Sequence, residues 1–164
     1  MQYHCVVQIK RKNKLIFVEN KNAMKLSKEI ILNLAEKARK GTLMETLDIE
    51  FIDAGEDFLT ARMPVNERVF QPDGVLHGGA TFALAETVGS FAAHLINHDR
   101  AVTIRGIEMS GNHLKSVSSG FVYATARAVH NGRTTQLFQV EIKDDHDRII
   151  SICKLTTIAI DKTK

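Results

Sequence analysis

Tryptophan is absent from the 164 residues, aromatics make up only 6%, and there are two prolines and two cysteines. So few aromatics leave few platforms on which nucleic-acid bases stack. Low proline with ten glycines excludes collagen and low-complexity linkers. Cys5 and Cys153 cannot build a disulfide scaffold or a four-thiolate zinc site, so a reduced, cytoplasmic protein is the expectation. A long apolar run is missing too. The least charged stretch, Gly74 to His98, carries Gly78, Gly79, Thr87 and Asn97, with Glu86 near its middle, which argues against a membrane span. It reads better as a helix buried inside a fold. No secretory leader is expected, because Lys10, Arg11, Lys12 and Lys14 follow a short apolar run rather than precede it. With 44% hydrophobic and 25% charged residues, the chain has the composition of one globular domain.

Charge is unevenly spread. Residues 1–40 hold ten Lys/Arg against three Glu, a net +7, and residues 41–164 hold twelve against sixteen, a net −4. The basic balance thus belongs to the N-terminal segment, whereas nucleic-acid binding needs a basic face on the fold itself. Apolar runs at 2–9 and 14–18 around Lys10–Lys14 are compatible with a hairpin. Met24 divides the chain: residues 1–23 form a basic extension, either ordered or lying upstream of the true start, and 24–164 form the domain.

Within the domain, Ser27 is a plausible N-cap of a helix carrying Ile30, Ile31, Leu34, Ala35 and Ala38, with Lys37, Arg39 and Lys40 at its end and Gly41 as its stop. Strands are expected where Leu47, Ile49 and Phe51 alternate with charged residues, and over 57–65. Residues 66–78 read as a loop, and 79–97 as a helix apolar nearly all round, hence buried. Four more strands follow at about 101–110, 120–130, 134–143 and 148–160, separated in the last three by Asn131-Gly132 and Asp144–Asp147. A mostly antiparallel sheet wrapped around a long helix is an α+β arrangement.

Glu86 is the one charged residue between Asp73 and Asp99. It is either a buried carboxylate paired with a cation or a catalytic carboxylate with a perturbed pKa. Ser90, one turn on, shares its helical face. His77-Gly78-Gly79 lies where loop meets helix, where free N–H groups can hold a developing oxyanion; it reads equally as a glycine-assisted helix start. His94 and His98 have i, i+4 spacing but no third ligand, so no metal is expected. Asp144–Asp147 reads as a solvated turn, and Cys153 as an inert core thiol.

Taken together, Gln71-Pro72-Asp73-Gly74-Val75-Leu76-His77-Gly78-Gly79-Ala80 followed by Leu84-Ala85-Glu86-Thr87-Val88-Gly89-Ser90 resembles the hotdog-fold acyl-CoA thioesterases. Within them it is similar to the group of phenylacetate-degradation, 4-hydroxybenzoyl-CoA and 1,4-dihydroxy-2-naphthoyl-CoA thioesterases. The resemblance runs from Gly41-Thr42-Leu43-Met44 through Gly106-Ile107-Glu108, Asn112-His113 and Gly132-Arg133-Thr134 to Leu155-Thr156-Thr157. Asp73 and Met109-Ser110-Gly111 depart from its usual residues. The resemblance implies a hotdog fold with an additional N-terminal helix, and Glu86 as nucleophile or general base. It implies the Gly78 amide as oxyanion donor, His77 and Gln71 placing the thioester, and Ser90 assisting Glu86. Asn112 and His113 would line the acyl or pantetheine side, with Thr134 beside the substrate. Lys115 and Arg133 are candidates for the coenzyme A phosphates.

The expected reaction is hydrolysis of an acyl- or aroyl-CoA without cofactor. One carboxylate and an oxyanion hole can suffice, because thiolate leaves readily. The rivals are a hotdog acyl dehydratase or hydratase and a non-catalytic acyl-CoA-binding protein. Gly78 and Glu86, eight residues apart on one helix, lie about 12 Å apart along its axis. They can meet at one carbon only across a twofold axis, so a homodimer with shared sites is expected, and the resemblance suggests its pairing into a homotetramer.

Overall fold

The computed structural model describes residues 6–11, 14–19, 24 and 26–162. Strands β1 (Val6–Arg11) and β2 (Lys14–Glu19) pair antiparallel as a separate two-stranded sheet, the hairpin expected in the basic extension. Helix α1 (Lys28–Arg39) begins where the Ser27 hydroxyl accepts the Ile30 N–H, and the chain leaves it through Gly41 at φ +72°. Its buried stripe is narrower than the sequence suggests: Ile31 and Ala35 are covered by the sheet edge, while Ile30 and Leu34 remain largely exposed.

The strand expected from Leu47 starts later. Thr42 caps a short helix, α2 (Leu43–Thr46), by accepting the Met44 N–H, and the Glu45 carboxylate reaches back to the Gly41 N–H. These local bonds outweigh the alternation of Leu47 and Ile49. Asp48 then turns the chain at φ +52°, and β3 (Glu50–Ala54) follows, paired with β4 (Phe58–Pro64). After a loop comes α3 (Gly78–Ile96), then β5 (Val102–His113), β6 (Phe121–Asn131), β7 (Thr135–Asp144) and β8 (Ile149–Asp161). The six long strands form one antiparallel sheet in the order β3-β4-β6-β7-β8-β5, with α3 packed on one face.

Phe138, Leu59, Met63, Leu84 and Leu155 are fully or almost fully buried between helix and sheet, each contributing about 1.5–3 kcal/mol. The helix sits very close to β8: a Cβ on Gly89 would lie 2.7 Å from a Leu155 methyl, so any larger residue there would have to push that methyl aside. The expectation that α3 is buried all round does not hold. Thr81, Leu84, Ala85, Val88, Ala92 and Ala93 face the sheet, but Gly79, Glu86 and His94 are exposed. A single sheet covers one side of a helix, however apolar the helix is. The Asp144–Asp147 turn is likewise less solvated than expected. Asp144 is buried, bonded to Arg148 at 2.7 Å and accepting the His146 and Arg148 N–H groups. The Arg148 guanidinium and those amides hold its carboxyl down at about 2.

Candidate active site

His77 closes the start of α3. Its Nδ1 accepts the Gly79 N–H at 2.8 Å, and its carbonyl accepts from Ala80 and Thr81. A ring nitrogen that accepts an N–H carries no proton, so the neutral His77 ring holds its proton on Nε2 and is a donor there. Of the first N–H groups of the helix, that of Gly78 meets no acceptor among the described residues. Gly78 lines a cleft of about 290 Å³ together with Gln71, Leu76, Thr81, His113 and Lys115.

The loop before the helix is folded on itself to present Gln71. The Gln71 N–H donates to Val75, Gly74 at φ +73° donates back to the Gln71 carbonyl, and Phe70 bridges Leu76. Asp73, one of the two departures from the resembled motif, accepts from the Gln71 amide at 3.3 Å and so orients it.

Opposite, at the end of β5, the His113 ring is fixed on three sides. Its Nδ1 lies 2.9 Å from the Ser151 hydroxyl, its plane is tilted against Phe82 at a centroid distance of 5.2 Å, and its Nε2 approaches Gly78. A Cβ on Gly78 would stand 2.7 Å from that Nε2. Glycine at 78 therefore leaves the amide open and makes room for the imidazole. Ser151 is the member of this site that sequence reasoning missed. Its only signal is the β5–β8 register that places it opposite His113, and no local pattern carries that information.

The remaining candidates lie elsewhere. Glu86 is not buried: it is exposed in the single chain, with one carboxylate oxygen 2.9 Å from where a Gly106 Cβ would be. Ser90 is half-buried one turn on, and no hydrogen bond joins it to Glu86 among the described residues. Asn112 pairs with Ile152 in the outward-facing row of the sheet, so it faces away from the cleft that its neighbour His113 lines. Arg133 and Thr134 form the β6–β7 turn, where the Arg133 carbonyl accepts from Arg100 beyond the C-terminus of α3. The chain thus gathers Gln71, His77, Gly78, His113 and Lys115 at one end of the helix and leaves Arg133 and Thr134 at the other.

A larger, more open hollow of about 650 Å³ lies on the outer face of β6 and β7. Its cations are already matched, Arg127 with Asp57 and Lys143 with Glu141 and Asp147. No helix terminus points into it, so the smaller cleft is the better site.

The model of the thioesterase superfamily matches residues 73–151, which contain the whole helix and all of the cleft lining except Gln71. The proofreading thioesterase EntH of Cronobacter turicensis is 43% identical over 117 residues, 71% of this chain and 85% of that protein. The chain belongs to the thioesterase superfamily. The 1,4-dihydroxy-2-naphthoyl-CoA hydrolase of Escherichia coli is 37% identical over 130 residues, 79% of this chain and 95% of that one. A crystal structure of a Haemophilus influenzae thioesterase superposes with a TM-score of 0.80 at 34% identity, covering 87% of this chain and 96% of its own. The fold is the hotdog fold of these thioesterases, and the chain is a thioester hydrolase.

Proposed function

We propose that this thioesterase hydrolyses an acyl- or aroyl-CoA to the free acid and coenzyme A, in a site shared by two copies of the chain. The observation that carries the reading is the separation of the chemistry on α3. The free Gly78 amide lies in the cleft at the helix start, while the helix's sole carboxylate, Glu86, is exposed two turns further along. About 12 Å of helix divides them, yet both must act at one carbonyl carbon within roughly 3 Å.

A second copy, related by a twofold axis, supplies the missing half. Strand β5 favours such pairing: it is a twelve-residue edge strand with a neighbour on one side only, and Ile107, at its bulge, is 56% exposed. Glu86 leans over Gly106 of this same edge strand. In the pair, Glu86 of the partner subunit faces Gly78, with Gln71, His77 and His113 around the thioester. The carbonyl oxygen takes up charge against the Gly78 N–H as the carbon becomes tetrahedral. The partner's Glu86 either adds to the carbon or takes the proton of an attacking water. In both routes the C–S bond breaks, the thiolate leaves as coenzyme A, and water supplies the oxygen of the acid. Lys115, exposed at the cleft rim, suits the anionic part of the coenzyme.

The test is complementation. Glu86→Ala and His77→Ala chains, each inactive, are unfolded together and refolded. A mixed dimer holds one wholly wild-type site, and half the dimers are mixed, so roughly a quarter of wild-type activity should return. A site complete within each chain would return none.

A further inference from the structure

We propose that Ser151 is a positioning residue of this site: its buried hydroxyl donates to His113 Nδ1 and fixes the tautomer that presents a neutral Nε2–H beside the Gly78 amide. The catalytic part of this rests on the reading of the cleft as the thioester site.

Ser151 belongs to the inward-facing row of β8, where its companions Cys153 and Leu155 are apolar, and it is fully buried. A buried hydroxyl needs an acceptor for its proton. Among the described residues, Ser151 Oγ has one hydrogen-bond partner, His113 Nδ1 at 2.9 Å. Were the ring proton on Nδ1, the buried serine hydrogen would be left without an acceptor among the described residues. The hydroxyl therefore donates, Nδ1 accepts, and the proton of the neutral imidazole sits on Nε2. That nitrogen lies over Gly78, where any larger residue would place its Cβ 2.7 Å away. Phe82 holds the ring plane from the side. His113 Nε2–H thus stands next to the one unpartnered N–H of the helix start, as a second donor to the thioester oxygen. It is in the same state as His77, whose Nδ1 is occupied by the Gly79 N–H.

The experiment uses the full-length chain labelled with ¹⁵N-histidine, observed well above the pH at which free imidazole titrates, with His113→Gln to assign the signals. Wild type should show a pyridine-type Nδ1 and a pyrrole-type Nε2 for His113. In Ser151→Ala the two tautomers should mix. With benzoyl-CoA as probe, kcat should fall about tenfold, KM should change less than twofold, and Ser151→Thr should restore both tautomer and rate. A wild-type ring protonated on Nδ1 overturns the proposal. So does an unchanged tautomer or unchanged kcat in Ser151→Ala, or a loss confined to KM. The spectra judge the Ser151–His113 pair whether or not a CoA ester is turned over, so failure of the thioesterase site and failure of this pair give different results.

Discussion

The two ends of α3 are built on opposite plans. At the C-terminus the fold supplies several partners. The Asn97 backbone and side chain both donate to the Ala93 carbonyl, His98 Nδ1 meets the Leu95 carbonyl, and Arg100 bonds the Asn97 side chain and the Arg133 carbonyl. At the N-terminus His77 satisfies Gly79, Ala80 and Thr81 but leaves Gly78 open toward a cleft. A helix end normally has four unmatched backbone groups, and the fold can either consume them or aim them. The C-terminal end is a joint that ties helix to sheet. The N-terminal end keeps a donor unspent, and such an unspent donor is what a thioester oxygen requires.

The largest effect should come from removing the carboxylate proposed to act at this open end. Glu86→Gln keeps shape and should lower kcat at least about a hundredfold, the scale of acid–base or nucleophilic contributions, while CoA-ester binding by calorimetry stays largely intact. Near wild-type turnover would end the assignment. Next, Gly78→Ala fills the space held by His113 without removing the amide. The ring must leave Ser151, so kcat should fall about tenfold, and the melting temperature should fall only modestly, because alanine, the better helix former, offsets part of the lost hydrogen bond. Unchanged turnover would mean that the room over Gly78 has no catalytic use.

The closed end should respond in the reverse sense. Asn97→Ala removes a buried side chain that accepts from Arg100 and donates to Ala93. Stability should drop by about 1–2 kcal/mol, read by denaturant unfolding, with kcat within twofold of wild type. A large loss of turnover with little loss of stability would make the C-terminal end part of the site and erase the contrast.

How much of this was legible in the sequence differs by kind of interaction. Ser27, Gly41 and the apolar run of α3 mark their elements through local bonding and periodicity, and the four last strands stand close to where alternation puts them. The resemblance carried by His77-Gly78 and Glu86 pointed to the same family as the relatives. What local pattern missed depends on neighbours distant in sequence. The exposure of Glu86 follows from how little of α3 one sheet covers. Burial of Asp144 follows from the arginine folded onto it, and Ser151 acquires meaning only when β8 is laid beside β5. The outward turn of Asn112 is a matter of strand parity once β5 extends to His113.

The smallest effect expected sharpens the contrast in charge. A helix C-terminus ordinarily favours a protonated histidine. His94, in the last turn of α3, is held below the ordinary 6.5, first by desolvation against the fold and then by the nearby cations Arg105 and Lys162. The folded protein therefore favours the neutral ring more than the unfolded chain does, and it binds fewer protons just below pH 6.5. The stability this lends is full above 6.5 and is lost as pH falls beneath it. In His94→Gln, which carries no titrating ring, the melting temperature should decline less steeply on acidification below 6.5 than in wild type. Parallel melting curves would mean that the cations around the closed end do not reach His94, leaving the hydrogen-bond account of that end to stand without any electrostatic part.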